Sequence, residues 1–203
     1  MRVANPAPEK RSGSRLIRRR SRSGCVTPLR LVRQSRWALQ EHERHMRLAI
    51  AAARRSAQSG GAQIGAVVVD RQGRVVVEGH STVAPDRDPT SHAEINAIRL
   101  AAKGLGRFHL PDCTLYSTLE PCSMCLGACT WAGLGEVVFG ADGSVTPIEY
   151  YDQVEYSALR AARSARRDGD RWPVMIQGRV LFKETAQLLE TQGGPNGRVS
   201  RAR

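Results

Sequence analysis

Four residues in two short segments have the types and spacing of a metal-ligand set with an acid–base group beside it: His92, Glu94, Cys122 and Cys125. The two cysteines are three residues apart at a predicted helix start behind Pro121, so both sulfurs emerge on one helix face. The positive end of the helix dipole favours thiolates, which zinc requires. His92, at the start of another predicted helix, can supply a neutral nitrogen, and three protein ligands leave the fourth tetrahedral position for water. The pattern therefore predicts a catalytic Zn²⁺ site.

The carboxylate of Glu94 has a different predicted role from the three ligands. It lies two residues beyond His92, so it cannot easily share the same coordination direction. It can still reach a water molecule at the metal and a substrate beside it. A carboxylate in that place can accept the proton of the water and pass it to a departing nitrogen. We therefore predict that Glu94 is the catalytic proton shuttle.

Two other interpretations of the cysteines stay open at this point. A structural zinc site would need Cys113 or Cys129 as a fourth ligand, and Cys129 follows Cys125 by four residues on the same helix face. A redox-active dithiol of the thioredoxin type would leave His92 and Glu94 unexplained. The chain has five cysteines, an odd number that does not suit a secreted disulfide framework and that favours a cytoplasmic location.

Hydrophobic periodicity and turn residues predict an alternating order of helices and strands. Helices are predicted over 36–59, 93–103, 122–132, 152–167 and 182–190, and strands over 64–70, 74–79, 113–118, 136–140 and 174–177. Thr90 and Ser91 are predicted to cap the second helix, and His42 and His45 of the first are predicted to face solvent. This order implies an α/β fold, a three-layer αβα sandwich with a five-stranded mixed sheet. A crossover helix over 152–167 would make the last two strands parallel.

The net charge of the 203-residue chain, +12 at pH 7, is concentrated at its start. Residues 1–36 contain eleven Arg or Lys and one acid, whereas residues 37–203 contain twenty bases and eighteen acids. We predict a disordered basic tail over 1–36, a catalytic domain over 37–192 and a frayed tail over 193–203. The basic tail is interpreted as a solvated arm or an over-long translation start, with a phosphate-binding arm and an organellar transit peptide as alternatives. No stretch approaches the roughly 20 apolar residues of a membrane span.

The two chemistry-bearing segments also resemble a known family. The runs Asp-Pro-Thr-Ser-His-Ala-Glu-Ile at 88–95 and Leu-Glu-Pro-Cys-Ser-Met-Cys at 119–125 are similar to the core motifs of bacterial guanine deaminases and tRNA adenosine deaminases. The resemblance covers about Met46 to Gly140. It implies the same three zinc ligands, Glu94 as the proton shuttle, the cytidine-deaminase-like αβα sandwich and a homodimer.

The substrate contacts are expected from the same resemblance. Leu-Gly-Ala at 126–128 followed by Trp131 is similar to the guanine deaminase branch, and Trp131 is a candidate base-stacking wall, with a place in the core as the alternative. Asp152, after Tyr151, corresponds to an aromatic-Asp pair placed over the base, or is a plain helix cap. Ser81 stands eleven residues before His92, where family members commonly have a substrate-binding Asn, and Ala66 belongs to the first strand beside the pocket.

These residues together predict a zinc-dependent hydrolase. We expect it to deaminate a nucleobase or related amino-heterocycle, as a guanine-deaminase-like enzyme of purine metabolism, without an organic cofactor. A tRNA wobble-adenosine deaminase is the alternative, in which the basic tail would recruit RNA. A catalytically inactive, zinc-stabilised binding module is a further alternative. The expected partners are a small-molecule substrate and a second copy of the chain, without a membrane.

Overall fold

The two Val-rich segments predicted as strands over 64–70 and 74–79 form the first two strands of a five-stranded sheet. The computed structural model describes residues 36–145 and 175–190. The strands are β1 Gly65–Asp70, β2 Val75–His80, β3 Cys113–Leu119, β4 Glu136–Ala141 and β5 Met175–Gln177, in the sheet order β2-β1-β3-β4-β5. The predicted α/β class and five-stranded mixed sheet are confirmed.

Strand directions in the sheet are also as the element order predicts. β1 pairs antiparallel with β2 and with β3, whereas β3–β4 and β4–β5 are parallel pairs. The expected parallel arrangement of the last two strands is thus confirmed. The crossover helix predicted over 152–167 lies outside the described residues. Because β3 and β4 are parallel, the segments that follow them leave from the same edge of the sheet.

Five helices accompany the described strands, and four of them agree with the periodicity of the sequence. Their bounds are α1 Arg36–Gln58, α2 Val83–Asp86, α3 Ala93–Leu105, α4 Ser123–Trp131 and α5 Phe182–Glu190, with a 3₁₀ turn at Gly143–Val145. The four-residue α2 was not predicted, because it is too short to show a periodic pattern.

The predicted cap of α3 is wrong in detail. The residue at the N-cap position is His92, and its side chain makes no capping hydrogen bond. The Thr90 and Ser91 hydroxyls instead donate to the Asp88 carboxylate, at 2.7 Å each, and the Thr90 N–H donates to it at 2.8 Å. Asp88 competes successfully for these donors because Asp side chains readily bond to the backbone two residues on. This turn leaves the ring of His92 available for other contacts.

Side chains alternate between the two faces of the sheet and give each face its own apolar cluster. On one face, Met46 and Ile50 of α1 pack with Val67 and Val69 of β1. The opposite face carries α3 and α4, with a cluster made up of residues such as Val68, Leu115, Ala97 and Cys129. Helices on both faces confirm the predicted αβα sandwich.

The prediction that the α1 histidines face solvent is wrong. His45 is 2% exposed, and its Nε2 lies 3.1 Å from the Gly73 carbonyl oxygen. The His42 Nδ1 lies 3.0 Å from the Tyr116 hydroxyl of β3. Both rings fall on the side of α1 that covers the sheet, and each meets a polar partner there that sequence periodicity does not reveal.

Several predictions fall on parts of the chain that the structure does not describe. These are the basic tail before Arg36, the frayed tail over 193–203 and the segment containing Asp152. Among the described residues, no helix combines the length and apolar character needed to span a bilayer.

Candidate metal centre and active site

The predicted metal ligands meet where two helices begin. His92 immediately precedes α3, while Cys122 precedes α4 and Cys125 lies in its first turn. The His92 Nδ1 is 3.8 Å from the Cys122 Sγ and 3.4 Å from the Cys125 Sγ. All three donor atoms lie within 4.8 Å of one another. Residues thirty positions apart in sequence therefore form one compact donor set.

These separations fit a tetrahedral zinc ion. Zinc bonds of about 2.0–2.3 Å to nitrogen and sulfur place neighbouring ligand atoms roughly 3.5–3.8 Å apart. The distances from the His92 Nδ1 to the two sulfurs, 3.8 and 3.4 Å, match that spacing. One imidazole and two thiols are also ligands that zinc prefers. The predicted Zn²⁺ cofactor is therefore supported by the donor set itself.

The two thiols of the site differ in acidity. A hydrogen bond from the Cys125 side chain lowers the pKa of Cys122 to about 4, against the effect of burial, and the His92 ring contributes in the same direction. The same hydrogen bond and burial raise the pKa of Cys125. A cation bound by the pair would displace the protons that its thiols retain.

Glu94 lies beside this donor set and is itself almost completely buried, at 3% exposed. Its Oε1 accepts a hydrogen bond from the Ser117 hydroxyl at 3.1 Å, and its Oε2 lies 3.5 Å from the Cys125 Sγ. Desolvation by burial raises the pKa of the carboxyl group. The carboxylate is thus fixed by one oxygen, and its other oxygen faces the metal site.

Ser117 is the residue that sequence reasoning missed. It is fully buried in β3, where alternate residues Cys113, Leu115 and Leu119 point into the same apolar cluster. The sequence did contain a signal: Ser117 is the one hydroxyl residue among the alternate, inward-facing residues of β3. A polar group buried in that place needs a hydrogen-bonding partner. The partner is the carboxylate of Glu94.

The interpretation of the site as a structural zinc with four protein ligands is not supported. Among the described residues the donor group contains His92, Cys122 and Cys125, without Cys113 or Cys129. Cys129, a residue of α4, is buried in the apolar cluster between this helix and the sheet, and burial raises its pKa. Cys113 lies at the beginning of β3, whereas the ligands lie beyond its end.

Ser81 lies next to the turn that carries His92. It is 3% exposed and directly follows β2. Its N–H donates to the Ile64 carbonyl oxygen at 3.1 Å, and its own carbonyl oxygen accepts from the Ser56 hydroxyl at 2.8 Å. The next N–H, that of Thr82, donates to the Ser91 carbonyl oxygen at 3.0 Å. The backbone at Ser81 is therefore tied both to the core and to the zinc-ligand turn.

The other predicted substrate contacts are placed differently. Ala66 is buried in β1, directly opposite Ser117 in the register of β1 and β3. Trp131 ends α4, at the far end from Cys122, and is 88% exposed, so the alternative that it packs in the core is wrong. Substrate contact by Ala66 or Trp131 stays a prediction. Asp152 lies outside the described residues.

An αβα sandwich with a His-Cys-Cys zinc site and a buried glutamate beside it defines the class of zinc-dependent deaminases. The sequence model described as the cytidine and deoxycytidylate deaminase zinc-binding region matches residues 39–141. The chain belongs to this family, and the predicted family resemblance is confirmed. The zinc-binding character of the family also confirms the predicted cofactor.

Curated relatives fall into more than one functional branch. A tRNA(Ile)-lysidine synthase of Deinococcus radiodurans is 40% identical over 141 residues, which are 70% of this chain and 22% of that protein. The guanine deaminase of Bacillus subtilis is 43% identical over 50% of this chain and 65% of its own length. The tRNA-specific adenosine deaminase of Haemophilus influenzae is 41% identical over 49% of this chain and 57% of its own. The chain thus spans less than two thirds of the length of each.

Similar solved structures include a guanine deaminase and a tRNA adenosine deaminase. The guanine deaminase of Nitrosomonas europaea has a TM-score of 0.64 and 25% identity, over 73% of this chain and 82% of that one. A tRNA wobble-position adenosine deaminase has a TM-score of 0.60 and 30% identity, over 72% of this chain and 99% of that one. The fold and the family are therefore shared by enzymes with small and with macromolecular substrates.

Proposed function

We propose that this chain is a zinc-dependent hydrolytic deaminase of a nucleobase or related amino-heterocycle, similar to guanine deaminase. The observation that carries the proposal is the position of Glu94. Its Oε2 lies 3.5 Å from the Cys125 Sγ, and its Oε1 is held by Ser117. A buried carboxylate next to a three-ligand zinc site is placed to move protons rather than to complete the ligand set.

The reaction exchanges an amino group on a ring carbon for oxygen: water adds, ammonia leaves, and the carbonyl compound remains. When bound by His92, Cys122 and Cys125, zinc supplies Lewis-acid activation of the water. Glu94 takes a proton from the attacking water at Oε2 and delivers it to the ring nitrogen beside the reacting carbon. It then takes the second proton of that water from the hydroxyl group now on the ring carbon and carries it to the departing amine, so that the carbon–nitrogen bond breaks and the carbonyl group forms. Ser117 keeps the carboxylate in one orientation through both transfers.

Support for a small purine-like substrate comes from the relatives and from α4. The match to guanine deaminase is 43% identical over 102 residues. A similar structure with a TM-score of 0.64 is bound to 8-azaguanine, and another with a TM-score of 0.65 is bound to 2,6-diaminopurine. The run Leu-Gly-Ala at 126–128 in α4 is the feature that resembles this branch.

Ser81 is the proposed specificity residue. Its side chain is shorter than the Asn expected there and cannot offer a donor and an acceptor in amide geometry. Its backbone is held to α1 by the Ser56 hydroxyl, and the Thr82 N–H ties the next residue to the zinc-ligand turn at the Ser91 carbonyl oxygen. A substrate with a ring substituent on that side would gain the space that an Asn fills. We therefore include other aminopurines, pterins and triazines in the substrate class.

A tRNA wobble-adenosine deaminase is the second candidate, and specific observations favour it. The tRNA-specific adenosine deaminase of H. influenzae is 41% identical over 99 residues, close to the value for guanine deaminase. The tRNA deaminase structure is 30% identical, compared with 25% for the N. europaea guanine deaminase. Residues 1–36 would supply basic contacts to RNA in this case.

Ammonia release across a panel of compounds separates the candidates. The purified zinc-loaded chain would be offered guanine, adenine, cytosine, their nucleosides, pterins, triazines and a tRNA anticodon stem-loop, with Glu94→Ala as the blank. Turnover of guanine or another small heterocycle supports the first proposal. Turnover of the stem-loop alone supports the second candidate. Silence with every compound from a zinc-loaded chain would contradict both and favour the inactive binding module.

A homodimer is proposed as the assembled form. Trp131 and Met124 are 88% and 36% exposed on α4, and Gly127 between them has open space where a Cβ would lie. These positions share one helix face, and exposed apolar patches of this kind often mark interfaces. Light scattering should find two chains per particle, and Trp131→Glu should shift the particle to one chain, while Phe108→Glu, a control at a side chain that is 75% exposed, does not. A monomeric wild type would contradict the dimer.

The free cysteines support a proposed cytoplasmic location. Cys113, Cys122, Cys125 and Cys129 are all unbonded thiols. A zinc site of this type needs its sulfurs reduced, which a reducing compartment maintains.

A further inference from the structure

Asn96 lies one turn into α3, immediately beside the zinc-ligand turn, and the proposed chemistry gives it no role. Its backbone N–H donates to the His92 carbonyl oxygen at 2.9 Å. Its side-chain Nδ2 lies 3.0 Å from the His80 carbonyl oxygen, 3.0 Å from the Thr82 hydroxyl and 3.3 Å from the Ser91 carbonyl oxygen. One amide group therefore touches residues on both sides of Ser81 and the residue before His92.

The chemistry of these partners fixes the orientation of the Asn96 amide. Carbonyl oxygens only accept hydrogen bonds, so the NH₂ group, and not the amide oxygen, must face His80 and Ser91. The NH₂ group has two hydrogens for three acceptors, so the longer contact to Ser91 shares a hydrogen with a shorter one. An acceptor-only side chain in the same place would repel both carbonyl groups.

The segment that Asn96 holds is packed unusually close to α3. A Cβ on Gly79 would lie 2.8 Å from the Ala93 carbonyl oxygen and 2.8 Å from the Ala97 backbone nitrogen. β2 can therefore approach the first turn of α3 only because residue 79 is a glycine. The carboxyl end of β2 therefore contacts the start of α3 at two places, one at Gly79 and one through the Asn96 amide.

We infer that Asn96 is a positioning residue that fixes the proposed substrate-contacting segment at Ser81 against the zinc ligand His92. It reaches the segment through His80 and Thr82, and it reaches the ligand through Ser91 and its own N–H. It touches neither substrate nor metal. Since a fixed distance between a base and the metal matters only if the site deaminates a base, this role rests on the proposed function.

The test compares Asn96→Asp with a matched control. Asp keeps the size of Asn but loses both donor hydrogens and places an oxygen against the His80 and Ser91 carbonyl groups. Thr130→Val is the control, since it removes one part-buried donor that bonds the Leu126 carbonyl oxygen within α4, near the end of the helix that is far from Cys122. Three quantities would be measured for both variants: the zinc Kd by chelator competition, KM and kcat on the substrate that wild type deaminates, and the Tm of the zinc-loaded chain.

For Asn96→Asp we expect a zinc Kd about tenfold weaker or more, because the turn that carries His92 loses its Nδ2 contact at the Ser91 carbonyl oxygen. We also expect KM to rise by about tenfold with a smaller change in kcat, because the substrate contact moves while Glu94 stays in place. Thr130→Val should remain within about twofold of wild type in Kd and KM. Equal zinc Kd and KM values for the two variants would overturn the inference, whatever their Tm.

A second variant covers the case in which Asn96→Asp does not fold. Thr82→Val keeps the shape of the side chain and removes one acceptor of the Asn96 amide. It should raise KM by about threefold and leave the zinc Kd nearly unchanged; an unchanged KM would overturn the link to Ser81. If the wild-type chain binds zinc but deaminates no compound, the proposed function is contradicted and the inference about Asn96 is not. In that case the zinc Kd of Asn96→Asp still decides whether Asn96 positions His92.

Discussion

The two ends of β3 hold titratable side chains in opposite ways. Beyond its carboxyl end, Glu94 is 3% exposed, and its partners among the described residues are the Ser117 hydroxyl and the Cys125 thiol. At its amino end, an open cavity of about 820 Å³ is lined by several acids, and these are mostly matched with cations. Asp70, for example, pairs with Arg74 at 2.7 Å.

The comparison shows which feature distinguishes the candidate active site from an ordinary polar surface in this fold. The cavity at the amino end is roomy, but its charges are solvated and neutralised, so little distinguishes it from an ordinary polar surface. The carboxyl end buries the Glu94 carboxyl group and the Cys125 thiol beside the half-buried His92 and Cys122 side chains. Burying such groups costs free energy, and a buried ionisable group beside a metal-ligand set is a candidate functional site.

The largest expected effect comes from making the same Glu→Gln substitution beyond the carboxyl end and at the amino end of β3. Glu94→Gln should lower kcat by about 10²–10⁴-fold, since an amide cannot carry the proton. Glu136→Gln changes a glutamate that lines the amino-end cavity and accepts from Thr114, and it should leave kcat within about twofold of wild type. Steady-state ammonia release measures both. A similar loss in the two variants would remove the distinction between the ends.

A second prediction compares Cys→Ser substitutions beyond the carboxyl end and at the amino end of β3. Cys122→Ser should weaken zinc binding by more than about 100-fold, because even the loss of an outer partner of a ligand typically costs 10–100-fold. Cys113→Ser, at the beginning of β3, should retain one zinc per chain. Elemental analysis after dialysis against a weak chelator checks both. Loss of zinc from the Cys113 variant would revive the four-ligand structural site.

A third prediction compares the two ends of α3. Gly79→Ala places a Cβ 2.8 Å from the Ala93 carbonyl oxygen, and should destabilise the fold by about 1–3 kcal/mol. Gly104→Ala, near the end of α3, meets nothing within 4 Å and should stabilise it by about 0.5–1 kcal/mol. Urea denaturation of the zinc-loaded chains measures both values. Equal stabilities would show that β2 does not approach α3 closely near the site.

The smallest effect belongs to the paired charges at the amino end. Arg74 is 76% exposed in its ion pair with Asp70, so solvent screens the attraction. Arg74→Ala should cost less than about 1 kcal/mol of unfolding free energy and leave kcat unchanged. Urea denaturation and ammonia release check this. A clear loss of activity would assign the amino end a part in the reaction.

The sequence was sufficient to predict the main elements and the three residues that meet as a donor group, because both depend on local rules. Cys122 and Cys125 obey helical spacing, and the strands of the sheet follow valine-rich runs between turn residues. The partners of these groups could not be predicted. The hydroxyl of Ser117 and the amide of Asn96 reach their acceptors only after the chain has folded. The burial of His45 was missed for the same reason, because its partner, the Gly73 carbonyl oxygen, lies 28 residues away in sequence.

Diffraction at the zinc absorption edge tests the central claim most directly. Crystals of the zinc-loaded chain should show one anomalous peak per chain, bonded to the His92 Nδ1 and the Cys122 and Cys125 sulfurs. A non-protein fourth ligand should face the Glu94 carboxylate. A peak with a fourth protein ligand from Cys129, or a peak elsewhere in the molecule, would contradict the assignment of this end of the sheet as a catalytic zinc site.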